Sequence, residues 1–213
     1  MGRLKVSEIF KSIQGESSYA GKPCIFIRLA GCNLRCNFCD TRYAYEKGVY
    51  FAADALLKKV LKYKTGLVCI TGGEPLIQKD IFRVIDGLIR GGKKVLIETN
   101  GSVCIKDVNK KAIIIMDIKC PLSGQSGSFL VKNLKHIKSK DEIKFVISGR
   151  KDYLWAKRTA ERFKGKKCGI LFSPARGFLK ASDLADWMLD DDLNARLNIQ
   201  LHKVIWPGRN RGI

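Results

Sequence analysis

Apolar positions along this chain come in short blocks, and polar or glycine-rich residues follow most of them. Residues 5–14, Lys-Val-Ser-Glu-Ile-Phe-Lys-Ser-Ile-Gln, alternate enough to predict a first strand. Turns at 14–18 and 21–23 separate it from the run Cys24-Ile25-Phe26-Ile27-Arg28-Leu29-Ala30, which reads as a buried strand. Residues 52–63 place Leu56, Leu57, Val60 and Leu61 on one helical face. Leu67-Val68-Cys69-Ile70 is wholly apolar, the pattern of a parallel strand covered on both sides. A helix with Ile81, Phe82, Ile85, Leu88 and Ile89 on one side follows, closed by Gly91-Gly92. Further strands are predicted over 95–97, 113–116, 142–147, 169–172 and 197–201. A helix is predicted through Leu154, Ala160 and Phe163, and another over about 182–189 with Ser182 as N-cap. The Gly/Ser-rich stretch 123–128 reads as a mobile loop.

Strands alternating with amphipathic helices predict an α/β chain with a parallel sheet. The polar clusters fall just after strands, where a βα barrel carries its active-site loops. About six βα units in 213 residues fall short of the eight units and roughly 250 residues of a full barrel, so an incomplete, TIM-like barrel is expected. No internal repeat and no second domain is visible. One core suffices for this length.

The composition is that of a globular protein, 46% apolar and 28% charged. No apolar run approaches the ~20 residues that span a bilayer. The start, Met1-Gly2-Arg3-Leu4-Lys5, lacks a signal-peptide core, which points to a cytoplasmic chain with reduced cysteines. The charge of +20, from 40 basic and 20 acidic side chains, admits nucleic acid, an anionic substrate or a solvated surface. The basic residues are dispersed and not interleaved with aromatics, which favours the solvated surface. Cys24, Cys69, Cys104, Cys120 and Cys168 lie mostly in or beside strand-like runs, where cysteine packs as a small hydrophobe.

The three remaining cysteines carry chemistry. Cys32, Cys36 and Cys39 stand at C-x3-C-x2-C spacing in a Gly/Asn/Arg loop directly after a strand. Three thiolates on one loop can grip three corners of a [4Fe-4S] cluster and leave the fourth iron open. A structural zinc site calls for a fourth Cys or His, and His136 and His202 are far off in sequence. Gly72-Gly73-Glu74-Pro75 also follows a buried strand. Its glycines would let a ligand approach the backbone, and Glu74 could hold an ammonium group; a plain Gly-Pro turn is the alternative.

Together the two motifs resemble the radical S-adenosylmethionine (SAM) superfamily. Ile13-Gln14-Gly15-Glu16, Arg28, Cys39-Asp40-Thr41, Thr71 to Pro75, Glu98-Thr99-Asn100-Gly101, Leu201-His202-Lys203 and Ile205-Trp206-Pro207 resemble the 7-carboxy-7-deazaguanine synthase family in particular. The resemblance implies one radical SAM domain over 1–213, closed by its N-terminal strand and C-terminal tail. It implies a lyase that converts 6-carboxy-5,6,7,8-tetrahydropterin to 7-carboxy-7-deazaguanine with loss of ammonia, on the route to queuosine. Cys32, Cys36 and Cys39 would hold the cluster. Gly73 and Glu74, Asp117-Ile118-Lys119 and Ser173-Pro174-Ala175-Arg176 would line SAM. Ile13, Gln14, Gly15, Arg28, Thr71 and Ile213 would touch substrate, and Thr41 would bind Mg2+. A flavodoxin or ferredoxin donor and a homodimer are also implied, with neither membrane nor nucleic acid as partner.

The residue chemistry agrees at several points. Arg28 is a cation inside an apolar strand, where a substrate carboxylate would suit its planar fork. An internal pair with Glu16 or Glu98 is the alternative. Thr41 offers magnesium a neutral oxygen or else caps a turn. Gln14 and Glu98 supply the donors and acceptors a pterin edge needs, or serve as turn residues. His202 orients the tail or packs. Rival readings are a glycyl-radical-enzyme activase and a basic zinc-bearing nucleic-acid binder.

Overall fold

A computed structural model describes residues 2–213. Nine strands form one sheet: β1 (Arg3–Ile13), β2 (Pro23–Leu29), β3 (Val49–Ala52), β4 (Leu67–Gly72), β5 (Lys94–Thr99), β6 (Ile113–Asp117), β7 (Glu142–Ile147), β8 (Gly169–Pro174) and β9 (Arg196–Leu197). Their spatial order is β3-β1-β2-β4-β5-β6-β7-β8-β9. All neighbours from β2 to β9 pair in parallel, while β1 runs antiparallel to both β2 and β3. The helices are α1 (Ala53–Leu61), α2 (Ile81–Arg90), α3 (Arg150–Ala160), α4 (Ala181–Asp190) and the short α5 (Leu201–Ile205). The expected incomplete βα barrel is present, with six long parallel strands and a two-residue seventh.

Alternation along the strands sorts the side chains into two layers. Ile25, Ile27 and Leu29 of β2, Val68 and Ile70 of β4 and Val95 and Ile97 of β5 join the large core that also holds the buried faces of α1 to α4. Cys24, Phe26, Leu67, Cys69, Leu96, Ile113 and Ile115 form a second cluster on the other face of the sheet, with Phe10 and Tyr19 against it. Phe10 stacks on Phe26 at 4.9 Å between ring centroids. This second cluster is the floor of the barrel.

α2 ends as its glycines foretell. Gly92 takes a positive φ of 78°, and the Lys93 N–H donates to the Leu88 carbonyl at 3.0 Å, closing a Schellman motif. Other expectations need correction. Ser182 is not the cap of α4; Lys180 holds that place, and the Ser182 hydroxyl turns to Asp183. Leu154 of α3 is 42% exposed, because Tyr153 one position earlier takes the core-facing place. Leu61 likewise sits at the rim of its helix face. The strand expected over 197–201 stops at Leu197: the Asn198 N–H still bonds the Phe172 carbonyl, but the chain then turns into α5. β3 has no signal beyond four residues; it pairs with β1 at the sheet's edge and leaves Val49 and Tyr50 exposed. Nor is every crossover helical. Between β5 and β7 the chain runs through loops, and the buried Asn133 amide does a helix's work there. It donates to the Gly101 and Val103 carbonyls and accepts from the Ile105 N–H. Ser123, at the head of the glycine-serine loop, is fully buried, its hydroxyl 2.6 Å from the Cys120 carbonyl.

No helix among the described residues is long and apolar enough to cross a membrane. Tyr153 joins α3 to α4. Its hydroxyl lies 2.6 Å from both the Trp187 carbonyl oxygen and Asp191 Oδ2, and Lys157 Nζ holds the other Asp191 oxygen at 2.8 Å. Tyr153→Phe removes this donor from a fully buried ring. We expect a loss of about 1–2 kcal/mol, read as a lower urea midpoint with an unchanged m value.

Candidate active site

The inner face that is apolar at the floor becomes polar at the C-terminal strand ends. One cavity of about 240 Å³ opens there. Continuing the same alternation, β2 contributes Arg28 above Phe26, β4 Thr71 above Cys69, β5 Glu98 above Leu96 and β6 Asp117 above Ile115. β7 adds Lys144, and β8 adds Ser173. Cys32, Cys36 and Cys39 line it too, as do Gln200, His202 and Ile213 of the tail.

Hydrogen bonds to several strand ends fix the cysteine loop. Asn33 bonds Ser102 Oγ and accepts from Asn100 after β5. Asn37 bonds the Leu122 carbonyl and the Ser123 carbonyl after β6. The loop also lies backbone to backbone against the turn after β4. A Cβ on Gly72 would stand 2.2 Å from the Leu29 carbonyl oxygen, and one on Gly73 would stand 2.0 Å from that of Gly31. The two glycines therefore serve this packing, and Gly73 also faces the cavity. Glu74 is put to structural use: fully buried and outside the cavity lining, it accepts from the Leu76 and Asn100 N–H groups and from the Thr99 hydroxyl. Burial pushes its carboxyl up despite these three bonds. Its expected grip on an ammonium group is not what this geometry offers.

Burial also pushes the Cys32 and Cys36 thiols up, so a metal must displace their protons. Among the described residues no three Cys, His, Asp or Glu side chains converge enough to hold one metal ion. Three thiols facing one chamber can hold three corners of a cube of irons and leave the fourth open toward the chamber.

Five buried side-chain atoms have no hydrogen-bond partner among the described residues, and three of them line this cavity: Gln14 Nε2, Arg28 Nε and Asp117 Oδ1. Arg28 has neither Glu16 nor Glu98 as partner. Glu8 is its neighbour, at 3.6 Å, too long for a hydrogen bond. Glu98 instead accepts from Thr71 Oγ1 at 2.7 Å and from the Cys69 thiol at 3.5 Å.

Sequence reasoning passed over the ionic core of the site. Lys144 Nζ lies 2.8 Å from Glu16 Oε2 and 3.4 Å from Asp117 Oδ2, which Lys119 also reaches at 3.0 Å. Burial alone would push the Asp117 carboxyl up, but the two lysines hold it below its ordinary value. Burial would likewise depress Lys144, yet Glu16 and Asp117 raise it well above the usual lysine range. The other Glu16 oxygen accepts from Gln200 at 2.8 Å, which ties the tail to the loop after β1. The missed signal was periodic: Glu142 and Lys144 put two charges on one face of a strand otherwise apolar.

Of the other expected site residues, Pro174, Ala175 and Arg176 line the cavity, and Ser173 accepts from Asn198 Nδ2 at 2.8 Å. Thr41 lines it too and donates to Asp40 Oδ1 at 2.8 Å; it stands at the head of a short 3-10 turn without capping it. Ile213 is buried against the chamber. Ile13, Gly15 and Ile118 lie outside the lining. Gly15 is needed because His202 Nδ1 occupies the place of a Cβ, so His202 both packs and faces the cavity.

Comparison with known proteins agrees with this geometry. Residues 26–113 match the Radical SAM superfamily. The chain is 43% identical over 226 aligned positions to a 7-carboxy-7-deazaguanine synthase of Koribacter versatilis, covering 99% of this chain and 100% of that one. It is 42% identical to the protein of that name from Chlorobaculum tepidum, covering 99% and 97%. The crystal structure of QueE from Escherichia coli superposes with a TM-score of 0.79 at 25% identity, covering 94% of this chain and 95% of that one. Streptococcus suis SuiB bound to S-adenosylmethionine shares the fold, with a TM-score of 0.60 at 17% identity, covering 83% and 50%. Neither the activase nor the zinc-protein reading finds support among these relatives. The chain belongs to the 7-carboxy-7-deazaguanine synthase family of radical SAM enzymes.

Proposed function

We propose that this enzyme converts 6-carboxy-5,6,7,8-tetrahydropterin to 7-carboxy-7-deazaguanine, with loss of ammonia. The observation that carries the reading is the meeting of three thiols with unpaired Gln14, Arg28 and Asp117 atoms around one chamber. When bound, a [4Fe-4S] cluster and SAM supply a reductively formed 5′-deoxyadenosyl radical that abstracts hydrogen from the substrate.

The chain's own residues position and seclude. Cys32, Cys36 and Cys39 hold the cluster. Gly73, Asp117, Lys119 and the 173–176 loop line SAM, and Asp117 Oδ1 waits for one of its donors. Arg28 takes the substrate carboxylate through its fork. Gln14 Nε2 and the Thr71–Glu98 pair read the pterin edge, Ile213 closes its berth, and Ile13 and Gly15 support Gln14 from outside the lining. Thr41, with Asp40 beside it, offers hard oxygen atoms to Mg2+. The N-terminal strand and the tail close the single domain over the chamber and keep water from the radical. Lys144 positions both halves, since it holds Glu16 on the substrate side and Asp117 on the SAM side. A flavodoxin or ferredoxin supplies the electron. The enzyme works as a cytoplasmic homodimer without nucleic acid.

Three outcomes test this. Anaerobically reconstituted protein should carry about four irons and, with SAM, reductant and the pterin, yield the deazaguanine acid. Colourless protein with one zinc, or no such acid, overturns it. Arg28→Gln should lower kcat/KM for the pterin roughly 100-fold while iron content stays unchanged. Lys144→Met should cost about 3–5 kcal/mol near neutral pH, because it strands buried carboxylates. Glu16 and Asp117 have lowered folded pKa values, so their contribution holds above their ordinary 4.5 and 3.8 and is lost as pH falls through the folded values. The raised Lys144 contributes fully below 10.5. Urea unfolding between pH 7 and about pH 3 should show the Lys144→Met deficit shrinking as pH falls below 4.5.

A further inference from the structure

Behind the Arg28 guanidinium, outside the chamber lining, stands the carboxylate of Glu8. β1 departs from its ladder just before it. Val6 pairs with Leu29 and Glu8 with Arg28, so Ser7 is an extra residue between them. Carried on from Val6, an unbroken ladder would set Ser7 against Arg28. A bulge of this kind gives up part of the ladder and re-aims a side chain beside a site.

Glu8 is shared between two cations. Its Oε2 lies 3.6 Å from Arg28 Nε, the buried atom without a hydrogen-bond partner, and 3.4 Å from the Tyr43 hydroxyl. Its Oε1 lies 3.9 Å from Arg211 Nε in the tail. Both guanidiniums lie against the Tyr43 ring, Arg211 at 4.5 Å and Arg28 at 6.0 Å from its centroid. Arg28 and Glu8 are largely buried, whereas Arg211 is exposed. Two residues beyond Arg211 stands Ile213, buried against the chamber. One carboxylate thus lies between the cation that faces the chamber and a cation of the tail that helps to cover it. Both contacts are longer than a hydrogen bond, so neither arginine holds Glu8 outright.

We infer, on the reading that the chamber takes a carboxylated pterin, that Glu8 is a positioning residue that couples the arrival of the substrate carboxylate at Arg28 to closure of the tail. An anion on the chamber side of Arg28 completes a row of alternating charge: substrate carboxylate, Arg28, Glu8, Arg211. It offsets the Arg28 charge and leaves the field of Glu8 to Arg211, which draws Ile213 onto the chamber. Linkage makes the effect mutual, so a fastened tail tightens the hold on the anion. A pterin without the carboxyl group gives Arg28 nothing and leaves the tail as it was.

The test uses full-length reconstituted enzyme with SAM and without reductant, so that nothing turns over. The probes are 6-carboxy-5,6,7,8-tetrahydropterin and tetrahydropterin without the carboxyl group. Calorimetry should show Glu8→Gln weakening the carboxylated pterin ~10-fold and the bare one less than about twofold. In an Arg28→Gln background the same change should weaken binding less than about twofold, which a merely structural role of Glu8 would not produce. Asp54→Asn, which removes a negative charge from the exposed face of α1, should change neither affinity. A second measurement follows release of Ile213 by carboxypeptidase, read by mass. Saturating carboxylated pterin should slow that release ~10-fold in the native enzyme, and less than about twofold in Glu8→Gln and in Arg211→Gln. Equal losses for the two pterins, a loss that survives in the Arg28→Gln background, or undiminished protection of Ile213 in the variants would each overturn the inference and leave the substrate reading standing. A native enzyme that binds both pterins alike overturns that reading and the inference with it. Should Glu8→Gln not fold, the exposed Arg211→Gln decides through the protection of Ile213 alone.

Discussion

Side chains on a parallel strand alternate between two faces, and everything in this site follows from that constraint. One face meets the helices and must be apolar throughout. The other is apolar only as far as the floor of the barrel, where Phe26, Cys69, Leu96 and Ile115 pack together. Two residues further along, the same face has reached the chamber, and there Arg28, Thr71, Glu98 and Asp117 stand side by side. The site is therefore the upper layer of the core. Its residues share the rigidity of the strands, so no loop has to find the right geometry by itself.

Such a layer puts charges where water is scarce, and each needs a partner. Lys144 solves this for two carboxylates at once. It bridges Glu16, from the loop after β1, to Asp117, at the end of β6, and Gln200 carries the chain of contacts on into the tail. Three distant stretches of sequence are pinned by one buried ammonium group. The glycines at the end of β4 do the equivalent task for the cysteine loop by contact alone, because any side chain at 72 or 73 would strike the backbone at or just beyond the end of β2. Charge fixes one wall of the chamber and close packing fixes the other.

This division explains what could be read from sequence. The cysteine loop, the GGEP turn and the strand-end clusters were legible because each is local: a polar or glycine-rich group just after an apolar run. The barrel was legible because its strands are short and apolar and α2 carries its own stop signal. Glu74 was misread because its type and place suit a ligand, whereas only the fold reveals three protein donors around it. Lys144 was passed over inside a run that reads as an ordinary strand. Asn198 and Gln200 lie in a tail whose sequence predicts a strand, and their hydrogen bonds reach back across much of the chain. Long-range partners leave no mark in a window of ten residues.

The unpaired atoms tell what the chamber is for. A buried donor or acceptor without a partner costs about 1–3 kcal/mol, and a domain's whole margin is about 5–15 kcal/mol. Gln14, Arg28 and Asp117 each carry one around the same chamber. Random imperfections would scatter over the core and would be relieved by small shifts of side chains. Here the side chains have contacts of their own: Gln14 Oε1 accepts from the Glu16 N–H, the Arg28 guanidinium lies over the Phe10 and Tyr43 rings, and two lysines hold Asp117 Oδ2. A fold that stabilises three unmet polar groups in one place leaves them for something else to meet. Whatever meets them binds the folded chain alone, so occupancy and stability are linked.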